Sequence, residues 1–358
     1  MLLGQLLKSV DKKYQKIHVR GISFDSRKVK KGYVFFAIKG NQHSGFKFIN
    51  DAILKGASVI ISYKKNKIKN YSVPLIMVRD VRKSLSEACS NFYNKKPSNI
   101  IAVTGTNGKS SVVNFFYQIL KFNKVPVASI GTLGIISENY KKKINLTTID
   151  PISLNRNLQI LAKQKVNNVI LEASSHGLKQ RRLNNLNIST GIFTNLSHDH
   201  LDYHKNMKSY FDAKMYLFKQ LLRKNSKVIT DEDIKEFKTI KRIANNKKFK
   251  KITIGTNSGK LKIISNNYKK NKQIVKISIG LKKFELEIPL IGYFQLKNLF
   301  MAILAAVECG LNKDKIFNQI YKIKPVPGRL ESVAKLSNNS NIIVDFAHTP
   351  DALEQSLI

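Results

Sequence analysis

The run Ile100-Ile101-Ala102-Val103-Thr104-Gly105-Thr106-Asn107-Gly108-Lys109-Ser110-Ser111, continuing into Val112-Val113-Asn114-Phe115-Phe116, restricts the fold more than any other part of this chain. Four apolar residues read as a buried strand, and the glycine turn opens directly into a helical pattern. Backbone N–H groups and a helix N-terminus therefore converge where a polyphosphate can sit. Lys109 is placed to neutralise phosphate charge, and the Ser110 hydroxyl to join a magnesium shell. The spacing departs from the usual phosphate loop, with two residues rather than four between Gly105 and the Gly108-Lys109 pair. A strand before it and a helix after it favour phosphate binding over a purely structural turn. The loop points to a nucleoside triphosphate.

At 358 residues the chain is expected to form two or three domains. Its 42% hydrophobic content suits globular packing. No run of eighteen apolar residues is present, so no membrane span is expected. Met1 to Lys8 reads as an amphipathic helix rather than a leader peptide. Cys89 and Cys309 lack metal-ligand spacing and fit a reducing cytoplasm. The 63 Lys+Arg against 23 Asp+Glu leave a net charge of +40, which by itself points to nucleic acid. However, the lysines are scattered among Asn and Ile, as in Lys247-Lys248-Phe249-Lys250-Lys251, and read as a coding bias on solvated loops. No zinc finger, helix-turn-helix or RNA-binding aromatic signature accompanies them, so no specific nucleic-acid partner is expected.

Three blocks follow, giving an α/β fold class. Residues 1–97 alternate short strands and helices, and Pro97-Ser98-Asn99 reads as a linker. Residues 98–332 carry apolar strands such as Asn168-Val169-Ile170-Leu171-Glu172 and Thr190-Gly191-Ile192-Phe193-Thr194. These suit a mostly parallel sheet between helices. Alternating runs between about 252 and 290 suggest a small antiparallel addition, and Gln295 to Glu308 reads as a helix stopped by Gly310. Residues 333–358 hold one strand, Asn341 to Phe346, and one helix opening at Pro350, the expected start of an incomplete C-terminal domain.

The strand ending in Glu172 runs into Ala173-Ser174-Ser175-His176-Gly177-Leu178, which puts a carboxylate at a strand C-terminus, where α/β proteins bind ligands. It reads as a magnesium ligand or a base. Farther on, His198-Asp199-His200-Leu201-Asp202-Tyr203-His204 places three histidines and two aspartates within seven residues. No cysteine or His-Glu-x-x-His pattern supports zinc, and oxygen-rich ligation of Mg²⁺ assisted by a histidine fits better.

These runs, followed by Pro327-Gly328-Arg329-Leu330-Glu331 and Asp345-Phe346-Ala347-His348-Thr349-Pro350-Asp351, occur in the order found in the Mur ligases of peptidoglycan synthesis. The chain resembles that family over nearly its whole length. The Ser-Ser-His-Gly-Leu and His-Leu-Asp-Tyr-His runs resemble the MurE type. The resemblance implies an N-terminal α/β UDP-binding domain, a central P-loop ATPase-like domain and a Rossmann-like C-terminal domain. It also implies ATP-dependent addition of a third amino acid to UDP-N-acetylmuramoyl-L-alanyl-D-glutamate through an acyl-phosphate. That amino acid is expected to be meso-2,6-diaminopimelate, with L-lysine as the other choice. A cytoplasmic monomer is implied.

By the same resemblance, Gly105, Thr106, Asn107, Gly108, Lys109, Ser110 and Ser111 bind ATP, with Asn298, Arg329 and His348 near its base and ribose. Lys109, Glu172, His200 and Lys214 are the implied catalytic residues. Ser110, Glu172, His200 and Lys214 are the implied Mg²⁺ ligands, Lys214 as a carbamate (N6-carboxylysine). Phe24, Ser26, Asn41, Gln42 and His43 are implied around the uridine, and Thr147, Thr148, Ser174, Gln180 and Arg182 around the muramoyl peptide. The chain departs from the family in having Ser110-Ser111 for the common Thr-Thr and Asn41 for a common His. It also lacks the Asp-Asn-Pro-Arg-type segment that recognises the amino acid. Two other readings stay open: a different Mur or folylpolyglutamate-type ligase, and a truncated, non-catalytic nucleotide- or nucleic-acid-binding protein.

Overall fold

The computed structural model describes residues 1–40, 44–63, 71–269, 272–338 and 340–357. Asn41, Gln42 and His43 lie outside the described residues. The chain packs as two units. The first holds residues 1–96 together with two later segments, 149–164 and 180–186; the second holds the rest.

The first unit is built on a four-stranded parallel sheet of β1 (Gly21–Ser23), β2 (Tyr33–Phe36), β3 (Ala57–Ser62) and β4 (Leu75–Met77), in that order. Side chains alternate across β2 and β3, so both faces of the sheet acquire a core. Val34, Phe36, Val59 and Ile61 pack with Leu3, Leu6, Leu85 and Ala88 on one side. Phe35 and Ile60 meet Ile49 and Ala52 on the other. The helix Val81–Phe92 starts at Asp80, whose carboxylate accepts from Lys83 N at 3.0 Å. The helix Pro151–Lys163 starts in the same way at Asp150, with proline at its first position, where a missing N–H is harmless.

The second unit is built on one eleven-stranded sheet. Its strands are β5 (Asn99–Thr104), β6 (Val127–Gly131), β7 (Gly134–Ser137), β8 (Lys141–Lys142), β9 (Asn168–Glu172), β10 (Ile188–Phe193), β11 (Leu222–Asp231), β12 (Lys250–Gly255), β13 (Leu261–Lys269), β14 (Lys272–Ile279) and β15 (Lys282–Ile288). Their order is β15-β14-β13-β12-β11-β10-β5-β9-β6-β7-β8. From β13 to β6 all pairs are parallel. The expected antiparallel addition is therefore an extension of the central sheet, because β12 and β13 still run parallel and only β13, β14 and β15 alternate in direction. A second antiparallel pair, β7 and β8, extends the opposite edge. Along β14 burial alternates, as in a strand with one wet face, whereas β5, β9 and β10 are buried almost throughout.

The helix Tyr293–Glu308 is apolar on nearly every side and packs with the helix Lys109–Phe122 in the core. It ends at Glu308, whose carboxylate takes the ammonium groups of Lys227, Lys250 and Lys260 at 3.1, 2.9 and 2.9 Å. Gly310, at φ 95°, then turns the chain away.

Residue register sets the position of the site. Val103 pairs with Glu172, Thr104 with Phe193, and Phe193 with Thr230, so β5, β9, β10 and β11 all end at one level. The loops that follow emerge side by side at the C-terminal edge, where parallel sheets bind ligands. Beyond them, β16 (Glu331–Lys335) and β17 (Asn341–Val344) form an antiparallel hairpin, followed by the helix Pro350–Leu357. Ile342, Ile343, Val344, Phe346 and Leu353 on this segment are exposed.

Candidate active site

Two glycines make the loop after β5 possible. A Cβ on Gly105 would lie 1.8 Å from Thr194 Oγ1. One on Gly108, at φ +83°, would lie 2.4 Å from Asn298 Oδ1. The loop is held by the segment after β10. Thr106 N donates to Asn195 O at 3.0 Å, Asn107 N to Asn195 Oδ1 at 2.9 Å, and Thr194 Oγ1 to Asn107 O at 2.6 Å. Ser197 N donates to Thr106 Oγ1 at 3.0 Å, and the Tyr210 hydroxyl lies 3.2 Å from the same oxygen.

Lys109 begins the helix and curls back over the loop, its Nζ donating to Gly105 O at 3.0 Å and Thr106 O at 2.6 Å. One residue on, Ser110 Oγ donates to Glu172 Oε1 at 3.0 Å. The 2% exposed Glu172 also accepts from Thr132 N at 2.7 Å and from Thr132 Oγ1 at 3.3 Å. Burial pushes its carboxyl up, opposed by Lys109 and by these donors. Glycine at 131 leaves the room this needs, since a Cβ there would lie 2.2 Å from Glu172 Oε1.

Lys214 lies on the helix Met207–Tyr216 and is 1% exposed. Its Nζ donates to Gly105 O at 2.6 Å and lies 4.2 Å above the Tyr210 ring. No carboxylate among the described residues pairs with it. Burial, and then the Lys109 charge, hold its ammonium well below the usual lysine range.

His200 has a left-handed backbone at φ 53° and an exposed side chain whose Nε2 is 3.5 Å from Asp199 Oδ2. Burial pushes its pKa down while Asp199 opposes the change. Its ring stands edge-on to His176 at 4.8 Å, and His176 also packs on Tyr203 at 4.1 Å and His204 at 5.5 Å.

All seven loop residues from Gly105 to Ser111 sit at this point, and all but Gly105 line one cleft of about 450 Å³. Thr147, Glu172, Ser174, His200, Lys214, Asn298, Arg329 and His348 line it too. Thr148 stands behind the lining, with its hydroxyl donating to Glu172 O at 2.8 Å and accepting from Ser174 N at 2.9 Å. Arg329 lies 5.0 Å over the Phe346 ring, and His348 Nδ1 is 2.9 Å from Phe346 O. Phe24, Ser26, Gln180 and Arg182 belong to the other unit. There Ser26 is buried, Phe24 is exposed, and Gln180 Oε1 accepts from Arg182 Nη2 at 2.7 Å.

The cleft also contains residues that the sequence reading passed over. Thr132 orients Glu172, and Asn195 holds the loop. Tyr210 bridges Thr106 and Lys214. Asp231 and Lys297, paired at 2.7 Å, form another wall with Ile234, Phe294 and Met301. Tyr210 had a legible signal, lying one helical turn before Lys214. Thr132 and Asn195 had none, because hydroxyl and amide residues after a strand are ordinary loop composition.

The arrangement can hold a polyphosphate on loop N–H groups and Lys109, beside a buried pair of oxygen donors. Among known proteins, the Mur ligase middle domain matches residues 103–306, and the catalytic domain of the Mur ligase family matches residues 18–93. A Rickettsia conorii protein named UDP-N-acetylmuramoyl-L-alanyl-D-glutamate--2,6-diaminopimelate ligase is 40% identical over 348 residues, 96% of this chain and 71% of its own length. A solved structure bearing the same name superposes with a TM-score of 0.86 at 29% identity, covering 100% of this chain and 73% of that one. The MurF ligase of Thermotoga maritima in complex with ADP has the same fold, with a TM-score of 0.64 at 21% identity over 95% of this chain and 74% of its own.

Proposed function

The chain belongs to the Mur ligase family, and from that premise we propose that it joins meso-2,6-diaminopimelate to UDP-N-acetylmuramoyl-L-alanyl-D-glutamate in an ATP-dependent amide-forming step of peptidoglycan synthesis. The observation that carries this reading is the convergence of Lys109, the Ser110–Glu172 pair, His200 and buried Lys214 on one phosphate loop, at the level ends of β5, β9 and β10. The chain keeps that arrangement within 40% identity to a ligase so named.

In this reading the loop N–H groups and Lys109 hold the β- and γ-phosphates. The terminal carboxylate of the UDP-linked dipeptide attacks the γ-phosphorus, ADP leaves, and an acyl-phosphate forms. The amine of the incoming amino acid attacks that carbonyl, a tetrahedral intermediate forms, and phosphate departs. Two anions must meet in the first step, so fixed positive charge and positioning supply most of the acceleration.

Ser110 Oγ and the Glu172 carboxylate suit Mg²⁺, which takes a few protein oxygens and completes its shell with water and phosphate. When bound, Mg²⁺ supplies the charge that screens the γ-phosphate from the attacking carboxylate. His200 is the proposed side chain toward a second such ion. An ammonium at Lys214 would repel a cation, whereas a carbamate on its Nζ would present oxygen donors. Its burial without a carboxylate partner favours the uncharged amine that carbamate formation requires.

Asn298, Arg329 and His348 are assigned to the base and ribose side of ATP. Thr147, Thr148, Ser174, Gln180 and Arg182 are assigned to the muramoyl peptide, and Phe24 and Ser26 to the uridine. Residues 1–97 are read as the UDP-binding domain, 98–332 as the ATP-binding domain and 333–358 as the start of the third. No helix among the described residues is long and apolar enough to cross a membrane, and we read the chain as a cytoplasmic monomer.

Calorimetry with the UDP-muramoyl dipeptide, alongside ligation assays against its precursors and folate, tests the reading. Binding and turnover are expected for the dipeptide alone. Failure to bind it at moderate salt overturns the assignment.

A further inference from the structure

His204 is the best-defined buried polar group to which the reaction assigns no role. It is 1% exposed, and neither ring nitrogen has a hydrogen-bond partner among the described residues. A neutral imidazole carries one donor and one acceptor, and no protein group among the described residues matches either. Its contacts are instead with other rings: Tyr203 at 4.9 Å, Tyr210 at 5.1 Å and His176 at 5.5 Å between centroids. Tyr210 faces the active site, with its hydroxyl 3.2 Å from Thr106 Oγ1 and its ring 4.2 Å beneath Lys214 Nζ. Thr106 belongs to the phosphate loop and is held by Ser197 N and Asn195 O, and Lys214 is fixed to that loop through Gly105 O.

We propose that His204 is a positioning residue that wedges Tyr210 into the one orientation from which it serves both the phosphate loop and Lys214. His204 does not line the cleft, and Tyr210 is the cleft residue its ring touches directly. The wedge works by ring shape, because its nitrogens contact no protein partner among the described residues. The relevance to catalysis rests on the ligase reading above, whereas the positioning itself belongs to the ligand-free protein and can be measured without turnover.

The first test is amide NMR of the ligand-free chain. His204→Ala is expected to shift the Gly105, Thr106 and Lys214 resonances, and His204→Phe to return them. In binding and kinetics, His204→Ala is expected to weaken Mg-ATP affinity and lower kcat by about tenfold each, with KM for the UDP-dipeptide within about twofold. His204→Phe is expected to restore both. A folded His204→Ala protein whose loop amides stay in place overturns the proposal, and so does a folded His204→Phe protein as impaired as His204→Ala. If His204→Ala does not fold, two variants decide: His204→Phe must leave the Thr106 amide unmoved and Tyr210→Phe must displace it, and failure of either refutes the wedge. Absence of turnover in the unsubstituted chain would count against the ligase reading and leave the NMR result standing.

Discussion

Lys109 and Lys214 bring two ammonium groups to one carbonyl, Gly105 O, at 3.0 and 2.6 Å. Placing like charges this close in a buried setting costs energy unless one is neutral or modified. Lys214→Ala is therefore expected to lose most ligase activity, measured as ADP release coupled to UDP-tripeptide formation, and added bicarbonate is expected not to restore it. Near-normal turnover would remove Lys214 from the mechanism. Glu172 makes a companion case. Glu172→Gln keeps the size and can still bond Ser110 and Thr132, but it removes the charge. Its kcat should fall by about a hundredfold with the melting temperature nearly unchanged. The residue types for this chemistry were readable in sequence, Lys214 only through the resemblance to the Mur ligases. What was not readable is that Thr132 holds Glu172, since that contact joins segments far apart in the chain.

At the scale of elements, the strand–loop–helix unit from Asn99 to Phe122 depends on glycine at two places for different reasons. At Gly105 the obstacle is Thr194, and at Gly108 it is Asn298 together with a left-handed backbone. Gly108→Ala should cost about 1–3 kcal/mol locally. Mg-ADP binding by calorimetry should be lost, with the global melt shifted only slightly. Retained binding would mean that the loop is looser than its contacts imply. The short spacing of the loop was legible as a phosphate cradle because strand, glycine turn and helix are local signals. The antiparallel strands at the sheet edges were only half legible. Alternation marked β14 and β15, but nothing in the local pattern told that β12 and β13 stay parallel to the centre, because pairing direction depends on the neighbour.

At the scale of the whole molecule, Glu308 ties the end of the long core helix to Lys227 in the middle of β11, Lys250 at the start of β12 and Lys260 just before β13. Burial pushes its carboxyl up, but the three ammonium partners outweigh burial and hold it at about 2, from an ordinary 4.5. Because the folded value is depressed, this stabilisation is fully present above about pH 4.5 and is lost as pH falls toward about 2. Glu308→Gln should lower thermal stability at pH 7 and flatten its decline between those values, read by melting temperature against pH. A variant with the same acid dependence as the parent would show that the cluster contributes nothing.

The sequence by itself determined the α/β class, the phosphate loop and the types of residue available for chemistry, because periodicity, turn residues and motif spacing are properties of neighbours along the chain. The tertiary structure alone decided that β5, β9, β10 and β11 end level, so that Lys109, Glu172, His200 and Lys214 share one cleft. It also decided that His204, in sequence one more histidine in a rich run, is a buried ring with no polar partner among the described residues. Register, burial and ring packing arise from contacts between distant segments, and single-chain patterns do not encode which segments will meet.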